Sequence, residues 1–371
     1  MEGAARGRRP GARGRCSVDC TSRAGGLAPE GGTPLAKVRL SLVSARNDWT
    51  APLLSGEVEP QGVELVPTIS DPSETFWRQL NHGVFEAGEM SIASFLIARE
   101  HGIEMVGIPA FPGRRFMHTE LYYHEDSGIT TPETLTGKRI GVAEYQQTAS
   151  LWTRGILEHD FGVSQYDLTW VMERPEELSH GGPTGFQPPP GIKFERMTDG
   201  DTLDTALLAR RIDVAPAMRA IGREPNLVDR ATLRPRATGD WSKLKPLFPD
   251  RIAEARRFVT AHGYVPANHF FVVRGDVHER YPWLAFNLYR ALLEAKEKAA
   301  ARVVASLPAA LVFGREYLAE TRAVLGDDPF TYGVEANLPM LNDALDFTFE
   351  QGLIKERPDV HSMFAPELGT L

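Results

Sequence analysis

The stretch FWRQLNHGVFEAGEM, residues 76–90, shows the unit from which the fold is built. A helical pattern ends in a tight turn, the apolar–acidic pair Phe85-Glu86 follows, and a short strand comes next. LDTALLARRIDVAPA, residues 203–217, repeats this order with Ile212-Asp213 as its pair. A loose internal repeat of this kind indicates two lobes of similar α/β build.

Predicted strands alternate with single helices along most of the chain, which is typical of an α/β fold with mostly parallel sheets. Asp71-Pro72-Ser73-Glu74 offers an N-cap, a proline at N1 and a glutamate at N3, so a helix should begin there. GGPTGFQPPPG, residues 181–191, reads as a loop. Strands are predicted at 38–43, 63–69, 85–90, 105–111, 138–145, 168–172, 212–218 and 268–274, and helices at 71–81, 92–101, 148–159, 203–209, up to 262, 281–304 and 334–351.

Two predicted strands cross between the lobes, near residues 118–124 and 266–272. This arrangement assigns residues 37–122 and 268–371 to lobe 1 and residues 123–267 to lobe 2. Two α/β lobes joined by two crossings form a hinged clamp, so we expect a ligand between them.

Composition narrows the function classes. The chain has 371 residues, 42% of them hydrophobic, and a formal net charge of -8. An acidic chain is a poor nucleic-acid partner, and no apolar run is long enough to predict a membrane span. Residues 1–36 are rich in arginine and glycine and contain Cys16 and Cys20; we expect a disordered tail or an over-extended start without a secretory signal. The cysteine-free remainder fits a reducing compartment, so a cytoplasmic location is predicted.

Several stretches carry a resemblance to a known family. They are SETFWRQL, EMSIASFLIARE, IPAFPGRRFMHTELYY, GKRIGVAEYQQTASLWTRGIL, HGYVPANHFFVVRGDVHERYPWL and MFAPE. With them the chain resembles the 4,5-dihydroxyphthalate decarboxylase family from about residue 38 onward. The resemblance implies a fold similar to type 2 periplasmic solute-binding proteins. It also implies loss of carbon dioxide from 4,5-dihydroxyphthalate to give protocatechuate, with a small aromatic carboxylate as ligand and no organic cofactor.

Such a reaction needs cationic side chains that bind the substrate carboxylates, a base near a hydroxyl and an acid near the ring carbon. Arginine binds both oxygens of a carboxylate, and surface ion pairs are the alternative for each candidate. Carboxyl ends of parallel strands face the crevice, which favours Arg46, Arg114 and Arg115 over the others. The candidates for binding are Arg46 with Asn47, Arg114, Arg115, Arg154 and Arg219, helped by the helix-start hydroxyls Ser91 and Thr148.

Proton carriers are fewer. His118 and His269 each begin a predicted crossing strand and could face one cleft from opposite sides; structural histidines are the alternative. Glu89 and Glu144 each follow a short apolar strand, one per lobe, and could act as a base, orient a histidine or pair with an arginine. The remaining predicted substrate contacts are Phe116, Tyr145, Gln146 and Asn268.

Three readings stay open. The first is a cytoplasmic, cofactor-independent decarboxylase of a dihydroxylated aromatic dicarboxylate. The second is a solute-binding protein of an ABC-type transporter for an anionic or aromatic ligand, and the third is a decarboxylase of another hydroxylated carboxylate. Paired histidines favour chemistry over simple binding. No ligand spacing such as HxxxH supports a metal, so a metal-free site is predicted. Assembly into a homo-oligomer is allowed for.

Overall fold

The computed structural model describes residues 36–198, 200–217 and 239–371. The predicted tail, up to residue 35, and Arg219 lie outside the described residues. Within them, strands form two sheets, ordered β2-β1-β3-β11-β4 and β10-β5-β9-β6-β7-β8. The strands are β1 (Val38–Ser44), β2 (Val63–Ile69), β3 (Ala87–Ser91), β4 (Met105–Ile108), β5 (Leu121–His124), β6 (Arg139–Val142), β7 (Thr169–Met172), β8 (Lys193–Arg196), β9 (Val214–Pro216), β10 (Leu244–Pro246) and β11 (His269–Arg274).

Helices cover the sheets, and their starts follow the caps seen in the sequence. Asp71 accepts a hydrogen bond from the Ser73 N–H and Gly83 ends that helix with φ 54°, as predicted. Ser91 caps the next helix through the Ser94 N–H. The helices are α1 (Ala51–Leu54), α2 (Pro72–His82), α3 (Ile92–Glu100), α4 (Thr148–Phe161), α5 (Gly181–Thr184), α6 (Leu203–Leu208), α7 (Arg251–His262), α8 (Gly275–Arg280), α9 (Leu284–Ala310), α10 (Gly314–Leu325) and α11 (Leu338–Glu350).

Both sheets are mixed, and among the described strands parallel pairings outnumber antiparallel ones by five to four. β1 pairs in parallel with β2 and β3, β6 with β7 and β9, and β7 with β8. The antiparallel pairings involve β5 and β11, the strands that follow the two connections between sheets. Each of these two strands enters its sheet from the side of the other sheet. It therefore runs antiparallel to its neighbours.

Three of the differences from the predicted elements concern α5, β8 and α10, and the first two have a simple cause. The predicted loop 181–191 begins with the single-turn helix α5, because glycine-rich sequence hides a short helical turn. β8 was missed because its sequence KFER is polar and lies at a sheet edge. α10 was missed as well, in a segment for which no element was predicted.

The two connections between the sheets run side by side. The chain leaves the first sheet after β4 and returns to it at β11. Arg114 and Ala267 form an antiparallel bridge, flanked by bonds from the Arg115 N–H to Pro266 O (3.0 Å) and from the Asn268 N–H to Gly113 O (3.2 Å). We call residues 113–115 and 266–268 the crossing segments. The first crossing was predicted at 118–124, but residues 117–120 form a 3-10 turn beyond it.

One large hydrophobic core includes side chains from both sheets, such as Ile140 and Phe270, and from α4, such as Trp152. The Trp152 indole N–H donates to Ala267 O (2.8 Å), which anchors α4 to a crossing segment. Among the described residues, none of the helices combines the length and apolarity needed to span a membrane.

Candidate active site

Glu89 occupies the centre of the first sheet, next to the end of β1. Its neighbour Gly88 pairs with Val43, and a Cβ at Gly88 would lie 2.4 Å from Val43 Cγ1, so only glycine permits this approach of β3 to β1. The approach brings the Glu89 carboxylate to the strand end. There, Oε1 accepts hydrogen bonds from Ser44 Oγ and from the Ala45 N–H (2.9 Å).

His269 completes this cluster from the neighbouring strand. It is the first residue of β11 and pairs with Ser91 of β3, which brings its Nδ1 to 3.3 Å from Glu89 Oε2. Its Nε2 lies 3.0 Å from Asn268 Nδ2. The Glu89 side chain is 4% exposed and that of His269 15%, so a buried carboxylate holds an imidazole that solvent can reach. This arrangement suits proton transfer.

Electrostatics keep Glu89 ionised. Burial by itself would raise the pKa of Glu89, but the hydrogen bonds and charge of His269, with those from Ser44 and Ala45, outweigh it and hold that pKa below its usual value. An ionised carboxylate accepts a hydrogen bond from an imidazole N–H, so Glu89 can hold the His269 ring in one orientation. His269 can therefore accept a proton without losing its orientation.

A second carboxylate lies at the corresponding position of the second sheet. Glu144 is fully buried just after β6, and Arg174, just after the adjacent parallel strand β7, places Nε 2.9 Å from its Oε1. Its Oε2 accepts from Ser179 Oγ (3.1 Å), the His180 N–H (3.0 Å) and the Gln146 side-chain amide. With its charge compensated, Glu144 fixes the segment that carries His180.

The two clusters meet at α2. The Phe76 ring lies edge-on to His269 (centroids 4.8 Å apart) and to His180 (5.6 Å). His180 Nε2 is also 2.8 Å from Ser73 O, near the start of α2. Helix α2 therefore contacts both His269 of β11 and His180 at the start of α5.

The starts of α3 and α4 come together beside these clusters. Ser91 Oγ and Thr148 Oγ1 are 2.8 Å apart, and Thr148 Oγ1 accepts from the Ala93 N–H (3.0 Å). Helix N-termini favour anions because their first N–H groups lack intrahelical partners. The structure therefore brings these two predicted binding hydroxyls together, and their role as donors to a carboxylate stays a prediction.

Arg46 is the exposed cation closest in sequence to the Glu89 cluster, one residue beyond Ala45. Its side chain forms no hydrogen bond or ion pair with any residue that the structure describes. Asn47, by contrast, is occupied: Nδ2 donates to Pro112 O and Oδ1 accepts from the Trp49 N–H, each at 2.8 Å. Arg46 is therefore available to a ligand, while Asn47 shapes the turn.

Three predicted binding residues are used up inside the protein. Arg114 donates to Val265 O, Thr331 O and Asn337 Oδ1, and burial lowers its pKa to about 10. Arg154 is buried, donates to Gln351 and to Tyr145 O, and lies over the Tyr145 ring. Tyr145 is buried too, with its hydroxyl on Gln165. The strand-end rule had favoured Arg114, but the side chains of Arg114, Arg154 and Tyr145 are all bonded within the protein.

His118 also lies elsewhere than predicted. It is fully buried; Nε2 is 2.9 Å from Glu254 Oε1, and its ring packs between Phe248 and Phe258. Burial lowers the pKa of His118, against the opposing effect of Glu254. Within the described part of the chain, its hydrogen bond and ring contacts are not shared with His269, so the two histidines do not face one cleft. Arg115 and Phe116 instead line a separate cavity near His118.

Sequence reasoning missed Arg174, Ser179 and His180. Arg174 follows the predicted strand LTWVM, so the rule that carboxyl ends of parallel strands face the crevice could have identified it. His180 was hidden in a segment read as a loop. Among the described residues, no three histidine, cysteine, aspartate or glutamate side chains are grouped so as to hold a metal ion. The metal-free assignment remains a prediction.

Comparison with known proteins agrees with this architecture. No family model matches the chain. It is 29% identical over 335 residues to a 4,5-dihydroxyphthalate decarboxylase of Comamonas testosteroni, covering 90% of this chain and 98% of the relative. It is 34% identical over 185 residues to a 4,5-dihydroxyphthalate decarboxylase of Pseudomonas putida, covering 50% and 72%. The chain belongs to the 4,5-dihydroxyphthalate decarboxylase family.

Membership of this family confirms the resemblance seen in the sequence. The fold is that of periplasmic binding proteins. The periplasmic aliphatic sulphonate binding protein SsuA of Escherichia coli superposes with a TM-score of 0.51 at 14% identity, over 90% of this chain and 99% of that one. The predicted two-lobed α/β fold is thereby confirmed.

Proposed function

We propose that this protein is a carboxy-lyase that converts 4,5-dihydroxyphthalate to protocatechuate and carbon dioxide. The observation that carries the proposal is the Glu89–His269 pair, a buried carboxylate holding a solvent-accessible imidazole, in a chain of this family. Two relatives named for this activity support the choice of substrate.

The proposed chemistry consumes one proton. A base removes the proton of the hydroxyl para to one carboxylate, and the electrons move into the ring. An acid then protonates the ring carbon that bears the carboxylate. The bond between that carbon and the carboxylate breaks, its electron pair restores the aromatic ring, and carbon dioxide leaves. The hydroxyl recovers its proton from the base, and the acid is reprotonated from water.

We assign the acid to His269. Glu89 orients its ring through Nδ1, so Nε2 is the nitrogen that can exchange a proton with the substrate, and Asn268 adjoins it. Glu144, held by Arg174, is assigned to positioning the loop of His180. A positioned general acid contributes about 10²–10⁴-fold in typical enzymes.

We assign the substrate carboxylates to two sets of groups. Arg46 is exposed, has no partner among the described residues and follows the backbone N–H that binds Glu89. The Ser91–Thr148 pair, at the starts of α3 and α4, offers hydroxyls and helix N–H groups to the second carboxylate. Two anchors would hold the ring so that its leaving carboxylate meets His269.

Purified full-length protein mixed with 4,5-dihydroxyphthalate tests the proposal. Protocatechuate and carbon dioxide should form in equal amounts, and His269→Asn should lower kcat at least about 100-fold. His159→Asn is the matched control, because His159 forms an exposed pair with Glu350. Tight binding without turnover would favour a solute-binding protein; neither binding nor turnover would exclude this substrate. We expect turnover to persist in EDTA, and metal-dependent recovery after chelation would overturn the metal-free assignment.

Lobe boundaries, location and assembly are proposals as well. We propose lobe 1 as residues 37–122 with 268–371, lobe 2 as 123–267, a cytoplasmic location and a homo-oligomer. The crossing segments support a two-lobe division and its second boundary near residue 267, but they favour a first boundary near residue 114, ahead of β5, which belongs to the second sheet. Analytical ultracentrifugation of the purified protein tests the assembly, and a single monomeric species would exclude it.

A further inference from the structure

A cavity lies away from Glu89 and His269, beside the crossing segments. Its volume is about 340 Å³, and Arg115, Arg251, Glu120, Phe116 and Phe330 are among its lining residues. Small-molecule sites commonly have volumes of about 300–1,000 Å³. The cavity is large enough for a single aromatic ring with its substituents.

Arginine donors at this cavity lack acceptors. The Nε atoms of Arg114, Arg115 and Arg251, which all line it, are buried without a hydrogen-bond partner in the structure as described. The Arg251 side chain forms no hydrogen bond or ion pair with a described residue. A buried donor without an acceptor is destabilising. Arg115 Nε has only a long ion-pair contact with Glu120, and the Nε atoms of Arg114 and Arg251 have no hydrogen-bond partner among the described residues, so the cavity offers donors to a ligand that carries acceptors.

The charge balance of the cavity favours an anion. Arg115 Nε is 3.6 Å from Glu120 Oε1, the carboxylate that faces these arginines. Burial raises the pKa of Glu120, while Arg115 and Arg251 oppose that shift. Even with Glu120 ionised, one carboxylate does not compensate the arginines around it. Arginine forks bind the two oxygens of a carboxylate.

Apolar walls restrict the ligand further. Phe116 and Phe330 contribute aromatic rings, and Val265 and Leu325 contribute aliphatic side chains. Flat rings pack well against such surfaces. We propose that this cavity is a second binding site, separate from the catalytic cluster, for a monocyclic aromatic carboxylate.

Occupancy of this site would act on the catalytic histidine through the backbone. The Arg115 N–H bonds to Pro266 O, and the Asn268 N–H bonds to Gly113 O, next to His269. A ligand that binds the Arg115 side chain and shifts it therefore also shifts residues 266–268, the crossing segment next to His269. We infer that the second site regulates turnover; this part alone rests on the proposed function.

Calorimetric titration with phthalate tests the binding. Phthalate lacks the hydroxyl that the proposed reaction requires, so it binds without being consumed. We expect two sites per chain, one weakened at least about tenfold by Arg251→Gln and the other by Arg46→Gln. Arg256→Gln is the matched control, because Arg256 lies on the same helix and is already paired with Glu320.

The outcomes separate cleanly. A single site that is lost in Arg46→Gln and unchanged in Arg251→Gln would overturn the second site, as would no phthalate binding at all. For regulation, phthalate should change kcat of the wild type and leave kcat of Arg251→Gln unaffected. Purely competitive inhibition in both proteins would overturn the regulatory role. Binding of phthalate at the second site, in a protein that does not turn over 4,5-dihydroxyphthalate, would refute only the proposed function.

Discussion

Replacing Glu89 by glutamine separates the charge of this side chain from its shape. Glutamine has nearly the same volume as glutamate. Its amide oxygen can take the place of Oε1 and accept the hydrogen bonds from Ser44 Oγ and the Ala45 N–H. Its amide nitrogen then faces His269 Nδ1 in place of Oε2. An N–H₂ group donates, so Nδ1 must become the acceptor and the ring proton must move to Nε2. The variant therefore cannot hold the doubly protonated ring that the proposed acid requires, because Nδ1 must then accept a hydrogen bond instead of donating one to a carboxylate.

The size of the effect follows from the lost charged hydrogen bond. Hydrogen bonds to charged groups contribute about 1.5–3 kcal/mol. If that stabilisation acts on the protonated ring in the transition state, kcat should fall about 10- to 150-fold, since each 1.36 kcal/mol is about a factor of ten. The Ser44 and Ala45 bonds persist, so the free energy of unfolding at neutral pH should fall by no more than about 2 kcal/mol.

Steady-state kinetics with 4,5-dihydroxyphthalate, alongside urea unfolding, measures both quantities. Glu86→Gln is the matched control. Glu86 is three residues earlier and accepts bonds from the Ser41 N–H (2.7 Å) and Ser41 Oγ (3.0 Å), with no histidine attached. A purely structural role for these carboxylates would affect both variants alike. We expect kcat to fall only in Glu89→Gln, with KM changed little.

Two results would refute this reasoning. Wild-type kcat in Glu89→Gln would show that the carboxylate does not hold a proton-transferring ring. An equal loss of kcat in Glu86→Gln would attribute the effect to the packing of β3 against β1. A loss of stability well above the expected limit would make the kinetic comparison a measure of unfolding.

Other substitutions test the remaining assignments. His118→Asn should leave kcat within about threefold of wild type but lower the free energy of unfolding by about 1–3 kcal/mol, because Glu254 loses its buried partner. Thermal unfolding and steady-state kinetics measure these two quantities. A large loss of kcat in a folded variant would return His118 to the mechanism. Arg46→Gln should raise KM at least about tenfold with a smaller change in kcat, whereas Arg39→Gln, within β1, should not. Equal KM values in wild type and Arg46→Gln would show that another group binds the carboxylate. The pKa of Glu89 in the folded protein lies below its usual value of 4.5, so between these two values the unfolded state binds more protons than the folded state. The stability that Glu89 contributes is therefore fully present above about pH 5 and is lost as the pH falls through the folded pKa. Urea unfolding between about pH 3.5 and 7 should show a shallower acid loss in Glu89→Gln than in the wild type, and parallel curves would contradict the shift.

The fold was predictable because its signals are local. Asp71, Pro72 and Gly83 mark both ends of α2 in the sequence, and the structure has its ends there. Edge strands such as β8 carry no apolar pattern, so nothing in KFER distinguishes them from a loop. The direction of β11 was unpredictable from its own residues, because direction is decided by which lobe the chain comes from.

The candidate site was predictable only in part. Glu89 and His269 were found because strand ends of an α/β sheet meet at one edge. Arg114 satisfied the same rule, yet its donors are taken by oxygens from distant parts of the chain, and so is the Nε of Arg154, a candidate on α4 that the rule did not favour. Whether a strand-end side chain turns toward a crevice or into the core depends on partners up to about 200 residues away, which spacing does not reveal.

The position of β11 has a consequence for how the protein is made. In its sheet, β4 has β11 as its neighbour, and β11 also places His269 beside Glu89. At a synthesis rate of about 5–20 residues per second, the roughly 160 residues between the two strands take about 10–30 s to emerge from the ribosome. The second sheet, β5 to β10, is contiguous in the chain and can be complete during that interval. The nascent protein therefore holds Glu89 without its imidazole until the first sheet receives its last strand, and the proposed activity begins only with that insertion.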